Sequence, residues 1–307
     1  MRRGLRGVFE DRVAGVFLVA ARERSLWPAA FLVSLGLSES WRVLFGWDPL
    51  WLGERAGRAG GAAGFTLGAV VFLASFLLLR ALGLSGEMVL VGQVSDFPGV
   101  DGPVVTFRRV RGRFLPLALT YLPYELARVA VVYLPSRIVY SWSRWDPRLK
   151  LWPLYIFFVG VWGLLILVLY GPASVLARLA VREVVLGEAE FYPAWRESWE
   201  KASRSPGRCA VAWLWSLAAD LSFLVPGWIL VAILPWLGRS LGKVIPVPVV
   251  RVIPSVVLNA VLAAALVSGQ VLVQTFKSII WTRTWLELDG ALVPGPGWFP
   301  DPGEREE

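Results

Sequence analysis

Two carboxylates, Glu125 and Asp220, lie deep inside long apolar segments of this chain. Each follows a boundary arginine by about twelve residues, or roughly 18 Å along a helix that rises 1.5 Å per residue. That depth is close to the centre of a lipid bilayer, where a carboxylate must be protonated, paired or in contact with water. Such a group could bind a proton, an ion or a lipid headgroup, or it could fix helix packing through an ion pair.

Possible partners for these acids occur along the same apolar segments. Arg128 follows Glu125 by three residues, which places both on one helix face. The last segment carries four polar residues on one side, because eleven residues make close to three helical turns. These residues are Asn259, Gln270, Gln274 and Lys277. Two interpretations stay open: the groups satisfy one another and fix packing, or they line a polar cavity around Glu125, Asp220 and Gln270.

The residues that the chain lacks exclude several kinds of chemistry. It has no histidine, which excludes Ser-His-Asp hydrolysis and histidine-bound zinc. Its one cysteine, Cys209, excludes an internal disulfide and a multi-thiolate metal site. The glycine-rich stretch 59–64 lacks the Lys-Ser/Thr ending of a phosphate-binding loop, so we interpret it as a linker. We therefore expect no catalytic residue, no metal and no cofactor.

Composition and charge place the chain in a membrane. Its mean hydropathy is +0.59, and 56% of its residues are hydrophobic, including 17 tryptophans. The formal net charge is +8, carried mostly by arginines that flank apolar runs rather than by a nucleic-acid-binding motif. This pattern is typical of a membrane protein with basic flanks near anionic lipid headgroups. We expect membrane lipids as partners, with a membrane-protein partner or a second copy possible, and no nucleic acid.

The apolar runs predict an all-α, polytopic helical bundle with about six transmembrane helices. A helix needs about 20 apolar residues to cross a bilayer, and several runs are longer than that. The predicted crossings are residues 25–45, 64–91, 114–134, 151–181, 209–237 and 254–281. Small residues such as Gly160 and Gly163 are suited to close contacts between these helices.

Part of the chain repeats at an offset of about 95 residues. Eight residues recur in register, the last as a carboxylate of the other type. Gly92, Pro98, Arg109, Gly112, Arg113, Leu119, Leu122 and Glu125 correspond to Gly187, Pro193, Arg204, Gly207, Arg208, Leu214, Leu217 and Asp220. We predict one transmembrane domain over 1–289, built from three hairpin repeats near 1–96, 97–190 and 191–289. The acidic, Pro/Gly-rich tail 290–307 is expected to be disordered.

A short amphipathic segment precedes each hairpin. In the third, Trp195, Trp199 and Ala202 fall on one face, and the second offers Val104 and Phe107 beside arginines. Such helices lie in the membrane interface with arginine reaching the phosphates. The lipid-headgroup candidates are Arg108, Arg109, Arg113, Arg204 and Arg208. Basic residues are in excess at the N-terminus and in the loops that contain these amphipathic segments. This excess predicts a multi-pass protein of the cell membrane with both termini in the cytoplasm.

One combination of segments is similar to a known family. Residues 176–187, then 193–199, then 204–208 before a new apolar run, together with 276–285 near the end, carry the likeness. They resemble uncharacterised prokaryotic six-helix membrane proteins related to the membrane domain of glycerophosphoryl diester phosphodiesterases. The resemblance implies the fold and a non-catalytic membrane role. It implies no catalytic residue, because the phosphodiesterase chemistry of that family belongs to a separate soluble domain.

Three functions fit these patterns. The first is a non-enzymatic scaffold or accessory subunit of a membrane complex. The second is a transporter or lipid-handling protein that uses a polar cavity. The third, an intramembrane enzyme, lacks a recognisable acid-base set. We adopt the first as the working hypothesis and keep the second as its alternative.

Overall fold

A computed structural model describes most of the apolar segments. The described residues are 16, 20–37, 66, 70, 74, 77–95, 103–128, 130, 131, 153–244 and 252–290. Over these ranges the chain is helical and contains no strand, in agreement with the all-α prediction. The first amphipathic segment before position 16, the linker 59–64 and the tail beyond Gly290 lie outside the described residues.

Within these ranges nine α-helices are numbered in chain order. They are α1 (Trp27–Leu37), α2 (Leu77–Ser95), α3 (Pro103–Val110), α4 (Phe114–Arg128), α5 (Pro153–Leu165), α6 (Gly171–Val185), α7 (Phe191–Arg204), α8 (Pro206–Val244) and α9 (Ile253–Leu288). A π-helical turn, Ile166–Tyr170, joins α5 to α6.

Proline sets several of these boundaries. Helices α3, α5 and α8 begin at Pro103, Pro153 and Pro206, because the first turn of a helix does not use the missing N–H group. The π-helical turn ends at Tyr170, two residues before Pro172. Proline inside a helix removes a backbone hydrogen bond and crowds the preceding turn, and a wider turn at this point accommodates it.

Four helical segments of the described ranges are long and apolar enough to cross a membrane. They are Leu77–Ser95, Ile156–Val185, Pro206–Leu234 and Ile253–Leu288, with 19, 30, 29 and 36 residues. Only 7% of the most apolar window of Ile156–Val185 is buried in the protein. An apolar surface of that extent is unfavourable in water and favourable in lipid, so the helices are consistent with a multi-pass membrane protein.

The four segments coincide with the second, fourth, fifth and sixth predicted crossings. The other two predicted crossings contain α1 and α4, which span 11 and 15 described residues. The count of six crossings and the three repeats stay predictions. The close contacts expected at Gly160 and Gly163 are not found, since no described atom lies within 4 Å of a Cβ placed at either glycine.

The helices fall into two compact units. The first contains the described parts of Met1–Arg111 together with Leu214–Ile280, and the second contains Gly112–Trp213 and the described part of Trp281–Gly295. Helices α8 and α9 therefore contribute residues to both units. The single domain predicted for 1–289 stays a prediction.

Glycine allows close helix packing in the first unit. A Cβ at Gly36 of α1 would overlap the carbonyl oxygen of Leu79 and the backbone of Gly83 in α2. A Cβ at Gly86 would lie 2.7 Å from the carbonyl oxygen of Ala29. In lipid, where helices gain little from hydrophobic association, small residues at such contacts let backbones approach and pack well. Helices α1 and α2 are held together in this way.

The second unit packs α4, α6 and α7 against one another. The turn between α6 and α7 is closed by backbone bonds from Leu186 N–H to Arg182 and from Ala189 N–H to Glu183, at 2.8 and 3.0 Å. Glu188 has a left-handed backbone with φ of 56°, which reverses the chain direction at the helix end. This turn brings the beginning of α7 beside the end of α6.

Candidate intramembrane polar sites

Glu125 forms an ion pair within its own helix. Arg128 Nη2 lies 2.5 Å from Glu125 Oε2 in α4, as expected for residues three apart on a helix. The arginine side chain is nearly buried, and the carboxylate is about one-fifth exposed. Because the pair closes within one turn of α4, the carboxylate is neutralised without a second helix.

Two tyrosines next to this pair form a second polar contact. Tyr124 of α4 and Tyr170 of the π-helical turn stack with their ring centroids 5.4 Å apart, and their hydroxyl groups hydrogen-bond to each other. The charges of Arg128, Arg178 and Glu125 all act on Tyr170. We call these five residues the tyrosine cluster. It joins α4 to the helix that continues from α5 into α6.

Asp220 forms an ion pair between two helices of the first unit. Lys277 Nζ of α9 donates to Asp220 Oδ1 at 3.0 Å and to Oδ2 at 2.8 Å. The lysine side chain is 10% exposed and the aspartate side chain 29%. Apolar packing between α8 and α9 continues beyond the pair with Phe223 against Leu262 and Leu266. The ion pair therefore fixes how α8 and α9 pack.

The other predicted cavity residues of α9 differ in burial. Gln270 and Gln274 are buried, like Lys277. Asn259, near the beginning of α9, is exposed. Its side-chain amide donates to the Ser255 carbonyl oxygen of the same helix at 2.7 Å. Glu125 belongs to the second unit, whereas Asp220 and Gln270 belong to the first. The single cavity predicted around these three residues stays a prediction.

A third polar group surrounds Lys201 of the amphipathic helix α7. Its Nζ lies 2.7 Å from Glu183 Oε1 at the end of α6 and 2.6 Å from Asp289 Oδ1 just after α9. The same ammonium lies 4.6 Å from the ring centroid of Trp285, within the range of a cation–π interaction. We call these four residues the Lys201 cluster. It attaches α7 to the ends of two membrane-length helices.

The surroundings of Lys201 change its proton affinity. Partial burial by itself lowers the pKa of the ammonium, but the hydrogen bonds to Asp289 and Glu183 and the charges of both carboxylates outweigh it. The net result is a pKa above the ordinary value of 10.5. Lys201 is therefore held in its charged form by the two acids that it joins.

The arginines predicted to bind headgroups lie in three kinds of surroundings. Arg108 and Arg109 are exposed on α3. Arg113 instead binds the hairpin turn, with Nη2 2.6 Å from Glu188 Oε2 and Nη1 2.9 Å from the Glu188 carbonyl oxygen. Arg204 is exposed and pairs with Glu200 at 3.6 Å, and Arg208 is half-buried. Arg108, Arg109 and Arg204 are thus the exposed members of the predicted set.

The tyrosine pair and the Lys201 cluster were not predicted as sites. Tyr170 precedes Gly171–Pro172, so a proline inside a long apolar run was the available signal for the irregular turn. Lys201 is one of only four lysines in an arginine-rich chain, but its partner Asp289 is 88 residues away. Among the described residues, no group of three or more Cys, Asp or Glu side chains could hold a metal ion.

No protein-family model matches the chain, and neither a curated protein nor a solved structure is similar to it.

Proposed function

We propose that this chain is a non-enzymatic integral membrane protein that acts as a scaffold or accessory subunit of a membrane complex. The observation that carries the proposal is that two acids of the apolar segments, Glu125 and Asp220, are each engaged by a cation of the same unit. Carboxylates that are held in ion pairs of this kind stabilise helix packing and are not available for proton or ion transfer. The resemblance to six-helix membrane proteins with a non-catalytic membrane domain supports the same function.

The proposed architecture is six crossings in three tandem hairpins with both termini in the cytoplasm. It is supported by a feature common to α3–α4 and α7–α8. In each pair a short amphipathic helix that contains a proline near its start precedes an apolar helix, with three residues between the helices in the first pair and one in the second. The acids Glu125 and Asp220 then occur at corresponding depths in α4 and α8.

Purification from native membranes tests the scaffold function. The full chain, extracted in a mild detergent, is expected to retain another membrane protein in a fixed ratio, measured by size-exclusion chromatography and mass spectrometry. The double variant Asp220→Leu/Lys277→Met is the matched control, because it replaces the ion pair with apolar side chains and should retain the same partner. Isolation of the wild-type chain alone, as a monomer, would contradict the proposal.

The tyrosine cluster supports lipid or solute handling as a second candidate function. It contains two guanidinium groups, one carboxylate and two hydroxyl groups beside a largely exposed apolar helix. The phosphate or carboxylate of an anionic amphiphile could accept hydrogen bonds from guanidinium and hydroxyl groups of this kind. The alternative predicts that lipids extracted with the wild-type chain include an anionic species that the variant Arg178→Gln does not retain, measured by mass spectrometry of the purified protein. Identical lipid profiles would count against it.

A further inference from the structure

The outward side of α3 carries three large apolar side chains. Val104 and Val105 are 64% and 57% exposed, and Phe107 is 41% exposed. Three large apolar side chains on one short helix form a surface that is unfavourable in water. The exposed side of α3 therefore has the composition of a surface that contacts lipid or a protein.

The opposite side of α3 is fixed against α2. Thr106 and Val110 are buried, and a Cβ at Gly92 would lie 2.8 Å from Thr106 Cγ2. The Thr106 side of α3 thus packs on Gly92 of α2, where the two helix backbones come close. Rotation of α3 that turned Val104 and Val105 inward would break this contact. Their exposure is built into the packing of the first unit.

The charge of α3 indicates what covers this surface. From Pro103 to Arg113 the chain contains four arginines and no acid, and Arg108, Arg109 and Arg111 are exposed. Helix α7 differs, because Glu197 and Glu200 accompany its basic residues. There Arg196 and Arg204 pair with Glu200 at 3.2 and 3.6 Å. Arg108 and Arg111 thus form a positive patch at the end of α3, whereas the exposed arginines of α7 share a carboxylate.

We propose that α3 docks onto an anionic lipid surface, whose phosphate groups bind to Arg108 of the helix and to Arg111 just after it. Val104, Val105 and Phe107 then lie among the first acyl carbons, and the guanidinium groups lie at the level of the phosphates. The binding is specific for anionic headgroups because the attraction is mainly between charges. The proposal goes beyond the scaffold function and does not depend on it.

Thermal unfolding of the full chain in a neutral detergent tests this docking. Phosphatidylglycerol added to the micelles should raise the Tm more than phosphatidylcholine does. In the double variant Arg108→Gln/Arg111→Gln the mole fraction of phosphatidylglycerol that gives half of the shift should rise roughly fivefold for each arginine removed. The Lys counterpart, Arg108→Lys/Arg111→Lys, should respond as the wild type does.

The variant Arg196→Gln/Arg204→Gln is the matched control on α7. It should keep the wild-type response to phosphatidylglycerol, since its arginines are already paired with Glu200. An unchanged response in the α3 variant, or an equal loss in both variants, would overturn the proposal. A comparable Tm shift with inorganic phosphate at the same concentration would also overturn it, because it would indicate a site for a free anion.

A single label measures the position of the apolar side directly. Cys209 is the only cysteine, so the variant Cys209→Ser/Val105→Cys accepts one polarity-sensitive fluorophore. In nanodiscs of phosphatidylglycerol its emission should shift to shorter wavelength relative to nanodiscs of phosphatidylcholine. The same emission in both lipids would contradict selective docking. If the label already emits at the shorter wavelength in detergent without added lipid, a protein covers Val105 instead, and the proposal is wrong.

Discussion

The ion pairs of Glu125 and Asp220 have different structural roles, because one lies within a helix and the other joins two helices. Arg128 neutralises Glu125 within one turn of α4. Lys277 and Asp220 come from different helices, 57 residues apart in sequence. Loss of one partner of a buried pair leaves a charge that neither lipid nor protein can solvate. The pair between helices therefore contributes to tertiary structure as well as to neutralising the acid.

We predict that Lys277→Met destabilises the protein by about 3 kcal/mol, because it leaves the partly buried Asp220 carboxylate of an apolar segment without its ammonium partner. The double variant Asp220→Leu/Lys277→Met should recover most of that stability, since it removes both charges. Denaturant unfolding in detergent, followed by circular dichroism, measures both differences in the free energy of unfolding. Equal destabilisation in the single and double variants would show that the pair itself is unimportant.

Lys201 gives a prediction for alkaline pH. Its pKa in the folded protein is above the ordinary 10.5 because Asp289 and Glu183 hold the ammonium. A group with a raised pKa binds its proton more tightly in the folded state. Its stabilisation is thus complete below the ordinary pKa and is lost as the pH rises through the folded value.

The measurement is the Tm of the full chain between pH 8 and a strongly alkaline pH. Above about pH 10.5 the wild-type Tm should fall more steeply than that of Lys201→Arg, because arginine keeps its charge over this range. Parallel curves for the two proteins would mean that deprotonation of Lys201 has no effect on folding.

At the scale of helices, close packing depends on a few glycines whose role their spacing did not reveal. Gly36 and Gly86 lie where the backbones of α1 and α2 approach, whereas no described atom lies near a Cβ at Gly160 or Gly163. Sequence shows that a small residue permits close contact, but not whether another helix is present at that place. That depends on tertiary packing, which brings together segments about 50 residues apart.

We predict that Gly36→Ala destabilises the protein by roughly 2 kcal/mol, because the added methyl group overlaps the backbone of α2 and forces the helices apart. The matched control is Gly160→Ala, which adds the same methyl group where space is open and should be neutral or slightly stabilising. Thermal unfolding of both variants in one detergent measures the difference. A similar Tm for the two variants would contradict the packing described for α1 and α2.

At the scale of the whole molecule, the sequence predicted helices and membrane character more fully than it predicted contacts. Apolar length and flanking arginine were enough for the four membrane-length segments, because both follow from the thickness of the bilayer. The pairing of Glu125 with Arg128 followed from helical spacing alone. The Lys201 cluster did not, since it joins residues from three separate segments between Glu183 and Asp289.

The proposed topology predicts that both ends of the chain lie on the cytoplasmic side. Green fluorescent protein fused to either end should fluoresce, since it folds in the cytoplasm, and alkaline phosphatase fused to either end should be inactive. Fusions in the 135–150 loop should give the opposite pattern. Opposite results at the two ends would require an odd number of crossings and would exclude three complete hairpins.

The length of α8 has a geometric consequence. Its 39 residues measure about 58 Å at 1.5 Å per residue, whereas the hydrocarbon layer is about 30 Å thick. Even at a tilt of about 20°, which is average for membrane helices, roughly 25 Å of α8 must lie outside the hydrocarbon layer. A helical extension of this length acts as a spacer, so that a partner bound to its aqueous end is held away from the lipid surface.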